Sequence, residues 1–275
     1  IMSFVQRRSG SLIYHTAENL DEIPNLSHGF STRLGGVSSG VLTSLNLRGA
    51  QASGDTQEHV QENYRRFCAA VGMDERRVVL SHQVHQDTVR VVTEQDVGKG
   101  LYRDRDYAAD ALVTNVPGLS LFVFSADCIV ILLCDPAAKC VGAVHAGWRG
   151  TALRIVQKTV AKMAEQFGAR PEKIQAAIGA GIGPCCFETD GDVPDAMERA
   201  MGAQAAPFLA SCGAKWMVDL KGLNRRQLEM SGVPAEQITI SDLCTACHPE
   251  LYWSHRKMGN ARGVQAAAIL WKEPV

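Results

Sequence analysis

Long uninterrupted apolar stretches are missing from this 275-residue chain. The longest, Leu119 to Cys134, is interrupted by Asp127 and falls short of the roughly 20 apolar residues a bilayer requires. It reads instead as a buried strand or strand pair. Charge of one sign is missing too: 28 Lys and Arg stand against 29 Asp and Glu, for a net charge of −1. That removes the basic footprint of a nucleic-acid binder and the polybasic patch of a membrane-surface protein. The first residues, Ile1 to Arg8, contain no apolar core of the kind a signal peptide needs. A disulfide framework is also lacking. Nine cysteines, an odd number at irregular spacings, read as free or metal-bound thiols in a reducing cytoplasm. There is no internal repeat, no low-complexity linker and no His-x-His pair among the eight histidines.

What is present suits a substantial core. Hydrophobic residues make up 46% of the chain, enough for one large domain or two small ones. Asp55-Thr56-Gln57-Glu58 resembles a capping box, and Val60, Tyr64, Phe67, Cys68 and Val71 follow at helical spacing up to a stop at Gly72. Thr151 is placed to cap a helix running to Phe167, ended by Gly168, and Asp219 one running through Leu228. Strands are expected at Val78 to Leu80, Thr88 to Val92, within Leu119 to Leu133, and at Cys140 to Val144, Ile174 to Ile178, Gln237 to Ile240 and Gly263 to Leu270. The runs around 119–144 are apolar throughout, as for strands covered on both faces. Strands and helices alternate without a clean βαβ repeat, which predicts a mixed α/β sheet with helices packed on it.

Five places carry chemistry. His85, Cys128 and His145 offer two imidazoles and a thiolate, a set that suits a catalytic zinc with its fourth position open. They come from separate segments, so three independent residues remain the alternative, with Cys128 a small buried hydrophobe. Asp127, next to Cys128, sits in a strongly apolar run and so asks for a partner, either an ion pair with Arg149 or a role as general acid or base. Arg149, flanked by Gly147 and Gly150 ahead of a helix, suits an anion, as does Arg33 in the turn-rich segment from His28 to Arg48. There, Gly35, Gly36 and Gly40 predict positive φ or close backbone approach. The loop from Gly179 to Cys186 is glycine-rich but lacks the Lys-Ser/Thr of a P-loop. Cys244-Thr245-Ala246-Cys247 is a CxxC, yet a structural metal site needs a second ligand pair and no second CxxC exists. A loop lining the pocket is the favoured reading there.

Together these segments resemble the YfiH family, also called the laccase-domain or multicopper polyphenol oxidase family. The resemblance rests on His28-Gly29-Phe30-Ser31-Thr32-Arg33 with Gly35-Gly36-Val37-Ser38, Ser44-Leu45-Asn46-Leu47, Gln83-Val84-His85, Ala126-Asp127-Cys128, His145-Ala146-Gly147-Trp148-Arg149-Gly150, Gly181-Ile182-Gly183-Pro184-Cys185-Cys186 and Asp242-Leu243-Cys244-Thr245. It implies one laccase-like catalytic domain over residues 1–275. The fold expected is an α/β/α layered mixed sheet similar to the catalytic domain of cytotoxic necrotizing factor toxins. It further implies a cytoplasmic purine nucleoside phosphorylase acting on adenosine, inosine and methylthioadenosine with phosphate, with adenosine deaminase activity as well.

On the same resemblance the zinc ligands map onto His85, Cys128 and His145, with copper the lesser alternative. Arg33 and Arg149 are then expected to hold phosphate, Asn46 and Gln83 to bond ribose or base, and Asp127 to shuttle the proton. The chain departs from the family pattern at Gln86, Val130, the segment Ser254-His255-Arg256-Lys257 and Asn260-Ala261-Arg262, changes placed at the pocket rim. Three other readings stand beside this one. A metal-free hydrolase or deamidase would use Cys128 as nucleophile and His145 as base. A multicopper oxidase would need more histidines, arranged in His-x-His pairs. A nucleoside-binding module would bind without turnover. Oligomeric state is not readable from the sequence.

Overall fold

The computed structural model describes residues 2–272. Two six-stranded sheets lie face to face. The first runs, in spatial order, Phe4–Ser9, Leu12–Ala17, Leu26–Ser31, Gln265–Trp271, Ser120–Ser125, Val78–Leu80; the second runs Ile238–Ile240, Gln175–Ile178, Ile129–Asp135, Cys140–Ala146, Ala111–Thr114, Val89–Val91. Both are mixed: Val78–Leu80 joins Ser120–Ser125 in parallel, as do the outermost pairs at each end of the second sheet, and the remaining neighbours are antiparallel. The expected mixed α/β class holds, with the sheet doubled.

The doubling explains the apolar runs. On Ser120–Ser125, Leu121 and Val123 join the layer between the sheets, while Phe122 packs on the outer side with Tyr64 and Phe67 of the helix Gln57–Val71. On Ile129–Asp135, Val130 and Leu132 face the other sheet, and Ile131 and Leu133 face the helices Ile155–Phe167 and Leu220–Met230. Alternating side chains thus find apolar cover on both faces, each fully buried one contributing about 1.5–3 kcal/mol.

The apolar run from Leu119 to Cys134 is not one strand. Its first half pairs in the first sheet and its second half in the second. The chain changes sheets within Ala126-Asp127-Cys128, where Asp127 adopts φ 98°. Antiparallel pairing then sets Val130 opposite His145 and Ile129 opposite Ala146, which brings the end of Cys140–Ala146 back beside the crossing.

The predicted helix at 151–167 is interrupted. It forms as Trp148–Ala152 and Ile155–Phe167, because Arg154 takes a left-handed conformation at φ 60°. The first long helix is capped by Thr56, whose Oγ1 accepts from the His59 amide at 3.1 Å, one residue later than the Asp55 of the sequence pattern. Asp219 caps Leu220–Met230 as expected, accepting from the Gly222 amide at 3.0 Å. Gly35 meets its prediction: it has φ 93°, and a Cβ there would fall 2.2 Å from the Leu12 Cα. No helix among the described residues is long and apolar enough to cross a membrane.

Candidate active site

His85, Cys128 and His145, far apart in sequence, converge. Their ligand atoms all lie within 4.8 Å of one another. His85 comes from the loop after Val78–Leu80 and has φ 59°, Cys128 from the crossing between sheets, and His145 from the end of Cys140–Ala146. The Cys128 Sγ stands 4.0 Å from the His85 Nε2, and the two imidazoles meet edge to face with centroids 4.9 Å apart. Gly147 completes the enclosure: a Cβ there would sit 3.0 Å from the Cys128 Sγ and 3.3 Å from the His85 Cδ2.

The group that organises these residues was not singled out in the sequence. Asp110, fully buried, accepts from His145 Nδ1 at 2.8 Å, which leaves the His145 Nε2 for the cluster. Its carboxylate also accepts from three consecutive amides: Val84 at 3.0 Å, His85 at 3.0 Å and Gln86 at 3.1 Å. Burial pushes the Asp110 carboxyl up, but His145 and these amides more than reverse it and hold it ionised. Burial likewise opposes charge on the pair Cys128 and His145. The interaction between them, aided by Asp110 and His85, prevails, lowering the thiol and raising the imidazole.

These residues fit a metal. Two imidazoles and a thiol already biased toward thiolate match the open three-ligand zinc sites of enzymes. A carboxylate on the far nitrogen of a ligating histidine is the usual outer support of such sites, and the missing Cβ of Gly147 leaves room beside the sulfur.

Asp127 is 8% exposed and satisfied at both oxygens. Thr245 Oγ1 donates to Oδ1 at 2.6 Å and the Arg256 amide to Oδ2 at 2.7 Å. Its carbonyl accepts from the Ile182 amide at 2.8 Å. An ion pair with Arg149 does not form. Arg149 is exposed and stacks on Trp148, its guanidinium carbon 4.2 Å from the ring centroid.

Beside the cluster opens a cavity of about 340 Å³. Asp127, Cys128 and His85 lie along it, Trp148, Ile182, Phe187 and Leu220 give it apolar walls, and Arg256 and Arg262 bring the cations. Arg262 is half-buried, and its Nε is enclosed without a hydrogen-bond partner. Burial, with Arg48 nearby, lowers its pKa from the ordinary value.

The other residues proposed from sequence stand outside this lining. Arg33 bonds the carbonyls of Pro249 at 2.8 Å and Thr43 at 2.9 Å and lies 3.9 Å over Trp253. Asn46 is fully buried and donates to Asp55 at 2.9 Å. Gln83 clips the Phe124 backbone, donating at 2.9 Å and accepting at 2.7 Å. All three are placed as braces. The arginines at the cavity come from the rim segment around 254–262, which the sequence marked as departing from the family pattern.

The fold is a two-sheet α/β sandwich with a His/Cys/His cluster at the crossing between sheets and a cavity beside it. The family described as multi-copper polyphenol oxidoreductase laccase matches residues 27–272, and this chain belongs to it. It is similar to "Purine nucleoside phosphorylase YlmD" of Bacillus subtilis, 34% identical over 247 residues, covering 89% of this chain and 88% of that one. It is also similar to "Purine nucleoside phosphorylase YfiH" of Escherichia coli, 38% identical over 228 residues, 82% and 86% of the two chains. The crystal structure of YlmD from Geobacillus stearothermophilus superposes with a TM-score of 0.89 at 32% identity, covering 98% of each chain.

Proposed function

We propose that this protein is a zinc-dependent purine nucleoside phosphorylase that cleaves adenosine, inosine or methylthioadenosine with phosphate. The products are the free base and the corresponding ribose 1-phosphate. The observation that carries this reading is the placement of the His85/Cys128/His145 set, an apolar wall and two arginines around one cavity. The names of relatives 34% and 38% identical to this chain supply the reaction class. The cavity volume falls in the usual range for small-molecule sites.

In phosphorolysis a phosphate oxygen forms a bond to the ribose C1′ as the C1′–N9 bond breaks. The bonding pair leaves with the purine, which takes up a proton. Trp148, Ile182, Phe187 and Leu220 are suited to hold the flat base. Arg256 and Arg262 are suited to hold phosphate, and guanidinium forks match its oxygens. Zinc, when bound by His85, Cys128 and His145, supplies a Lewis acid beside the reacting groups. Asp110 keeps His145 in one tautomer. Asp127, fixed by Thr245 and the Arg256 amide, is the carboxylate available at the cavity to carry the proton, and the same placement supports adenosine deamination as a second reaction. We place the enzyme in a reducing cytoplasm on the strength of its cysteine count and spacing.

The test is chromatography of free base and sugar phosphate from each nucleoside with and without phosphate. Phosphate-dependent base release is expected. No base release by metal-loaded protein overturns the reading. Inosine formed from adenosine without phosphate reads the deaminase separately.

A second reading rests on the trio Cys128, His145 and Asp110, which has the order of a nucleophile, its base and an orienting carboxylate. That metal-free hydrolase predicts full activity after chelation, and metal content against activity decides between the two.

A further inference from the structure

The CxxC motif has the second ligand pair that its sequence spacing did not disclose. Cys185 and Cys186, adjacent in the glycine-rich loop after Gln175–Ile178, lie against Cys244 and Cys247. The four sulfurs all stand within 4.8 Å of one another. Cys247 Sγ is 3.5 Å from both Cys185 Sγ and Cys186 Sγ. The Gly183 amide donates to Cys244 Sγ at 3.1 Å, the kind of bond that stabilises a thiolate. None of the four belongs to the His85/Cys128/His145 set.

We propose that Cys185, Cys186, Cys244 and Cys247 form a second metal centre that binds a single thiophilic divalent cation, zinc, in a closed tetrahedral thiolate shell. A zinc ion with four sulfurs at about 2.3 Å sets them about 3.8 Å apart, the scale on which these sulfurs already stand. An iron–sulfur cube would hold its cysteines further from one another. Four thiolates this close repel one another, and a divalent cation offsets that repulsion as the thiol protons leave on binding. An all-sulfur shell selects zinc over harder cations and leaves no open position, so this centre is structural.

Its position gives it a task. Ile182 and Phe187, at either end of the Gly183–Cys186 stretch, wall the reaction cavity. Thr245, between the two cysteines of the CxxC, donates to Asp127. The isolated bridge between Gly181 and Cys244 joins the same two loops. A metal clamped across them fixes both the apolar wall and the carboxylate.

The experiment is elemental analysis of protein purified under reductant without added metal, with X-ray absorption at the zinc edge. Wild type is expected to carry two zinc ions per chain. Cys128→Ala, which removes a ligand of the first site, is expected to keep one, with four sulfurs at about 2.3 Å. A double variant, Cys185→Ser with Cys247→Ser, is expected to keep one with a mixed nitrogen and sulfur shell and to unfold at a lower temperature. The Cys128→Ala measurement stands even where the double variant fails to fold. Cys128→Ala protein without metal, or with nitrogen ligands on its remaining ion, overturns the proposal. So does a Cys185–Cys247 or Cys186–Cys247 disulfide in reduced, anaerobically prepared protein. Because the first site is absent from Cys128→Ala, failure here leaves the nucleoside reading untouched, and failure of nucleoside turnover leaves this one untouched.

Discussion

Asp110 and His145 are joined by a buried bond of 2.8 Å between carboxylate Oδ1 and imidazole Nδ1. The same oxygen accepts from the backbone of His85 at 3.0 Å. One carboxylate therefore orients the His145 side chain and the loop that carries His85, two of the three candidate metal ligands. Outer partners of this kind change metal affinity by about 10–100-fold when removed. Asp110→Asn is expected to weaken zinc binding by that order, read by competition with a chromophoric chelator, and to lower turnover at limiting metal. Unchanged affinity would mean that Asp110 only closes the loop at 84–86.

Asp127 is held from two sides, and Thr245 is the partner that can be removed alone. Thr245→Val keeps the volume but deletes the 2.6 Å bond to Oδ1. Losing a bond to a charged acceptor costs about 1.5–3 kcal/mol. If Asp127 moves the proton, kcat falls with little change in metal content, while Asp127→Ala costs about 10²–10⁴ in kcat. Equal effects of both changes on melting temperature, with kcat unchanged, would leave Asp127 a structural residue.

The arginines separate sequence from structure most sharply. Arg149 ahead of a helix and Arg33 in a glycine-containing loop suit an anion by sequence pattern, yet one stacks on Trp148 and the other braces Trp253. Arg256 and Arg262 line the cavity. Arg262→Ala is expected to raise the KM for phosphate about 10–100-fold, the equivalent of one charge-assisted bond. Arg149→Ala is expected to stay within about 2-fold, the small change usual for an exposed side chain, since Arg149 touches the cavity wall residue Trp148 but is not itself in the lining. Steady-state kinetics with phosphate varied at saturating nucleoside measures both. The reverse ranking would return the anion to the helix start at Gly147.

What the sequence made legible was what local pattern controls. The strand Val78–Leu80 and the stops at Gly72 and Gly168 followed from apolar spacing and glycine. The hairpin Phe4–Ser9 with Leu12–Ala17 went unassigned because its first strand is mostly exposed and carries little alternation. The change of sheet inside 119–134 could not be read either, since strands covered on both faces look alike in either sheet. His85, Cys128 and His145 were nameable as candidate ligands from residue type and from the family resemblance, but their convergence is a property of the fold. Asp110 does carry a sequence signal: Ala109-Asp110-Ala111-Leu112-Val113 places a lone acid at the head of an apolar strand, the same cue that marks Asp127. Cys185-Cys186 lacks the CxxC spacing, and pairing across two loops leaves no trace in either.

Metal-free protein offers a titration. Burial opposes the Cys128 thiolate, but His145 and His85 outweigh it and bring the thiol to about 6. Alkylation follows the thiolate, so its rate should rise with pH through about 6 and level off by neutrality, where an ordinary cysteine, with a pKa near 8.5, is still mostly protonated. Cys68 and Cys134 are pushed the other way by burial and should stay unmodified. Zinc should protect Cys128 at neutral pH and above, where protons do not displace it from its ligands. Residue-resolved mass spectrometry after short exposure to iodoacetamide reads this directly, and a midpoint near 8.5 for Cys128 would remove the ion pair with His145.

Gly147 gives the most selective test of the metal site. Its backbone, at φ −67° and ψ 173°, is open to any residue, so Gly147→Ala introduces no backbone strain. As the residue before a helix, alanine in place of glycine costs no more than about 1 kcal/mol. The added methyl, however, would meet the Cys128 Sγ at 3.0 Å and the His85 Cδ2 at 3.3 Å. One ligand must then shift by a few tenths of an ångström, and both lie on the surface a bound ion would touch. The variant is expected to fold and melt close to wild type while losing much of its metal at the first site and its nucleoside turnover. Calorimetry, metal content and phosphorolysis on the same sample decide it. Full metal and full activity in a well-folded Gly147→Ala protein would show that the ion does not sit among His85, Cys128 and His145.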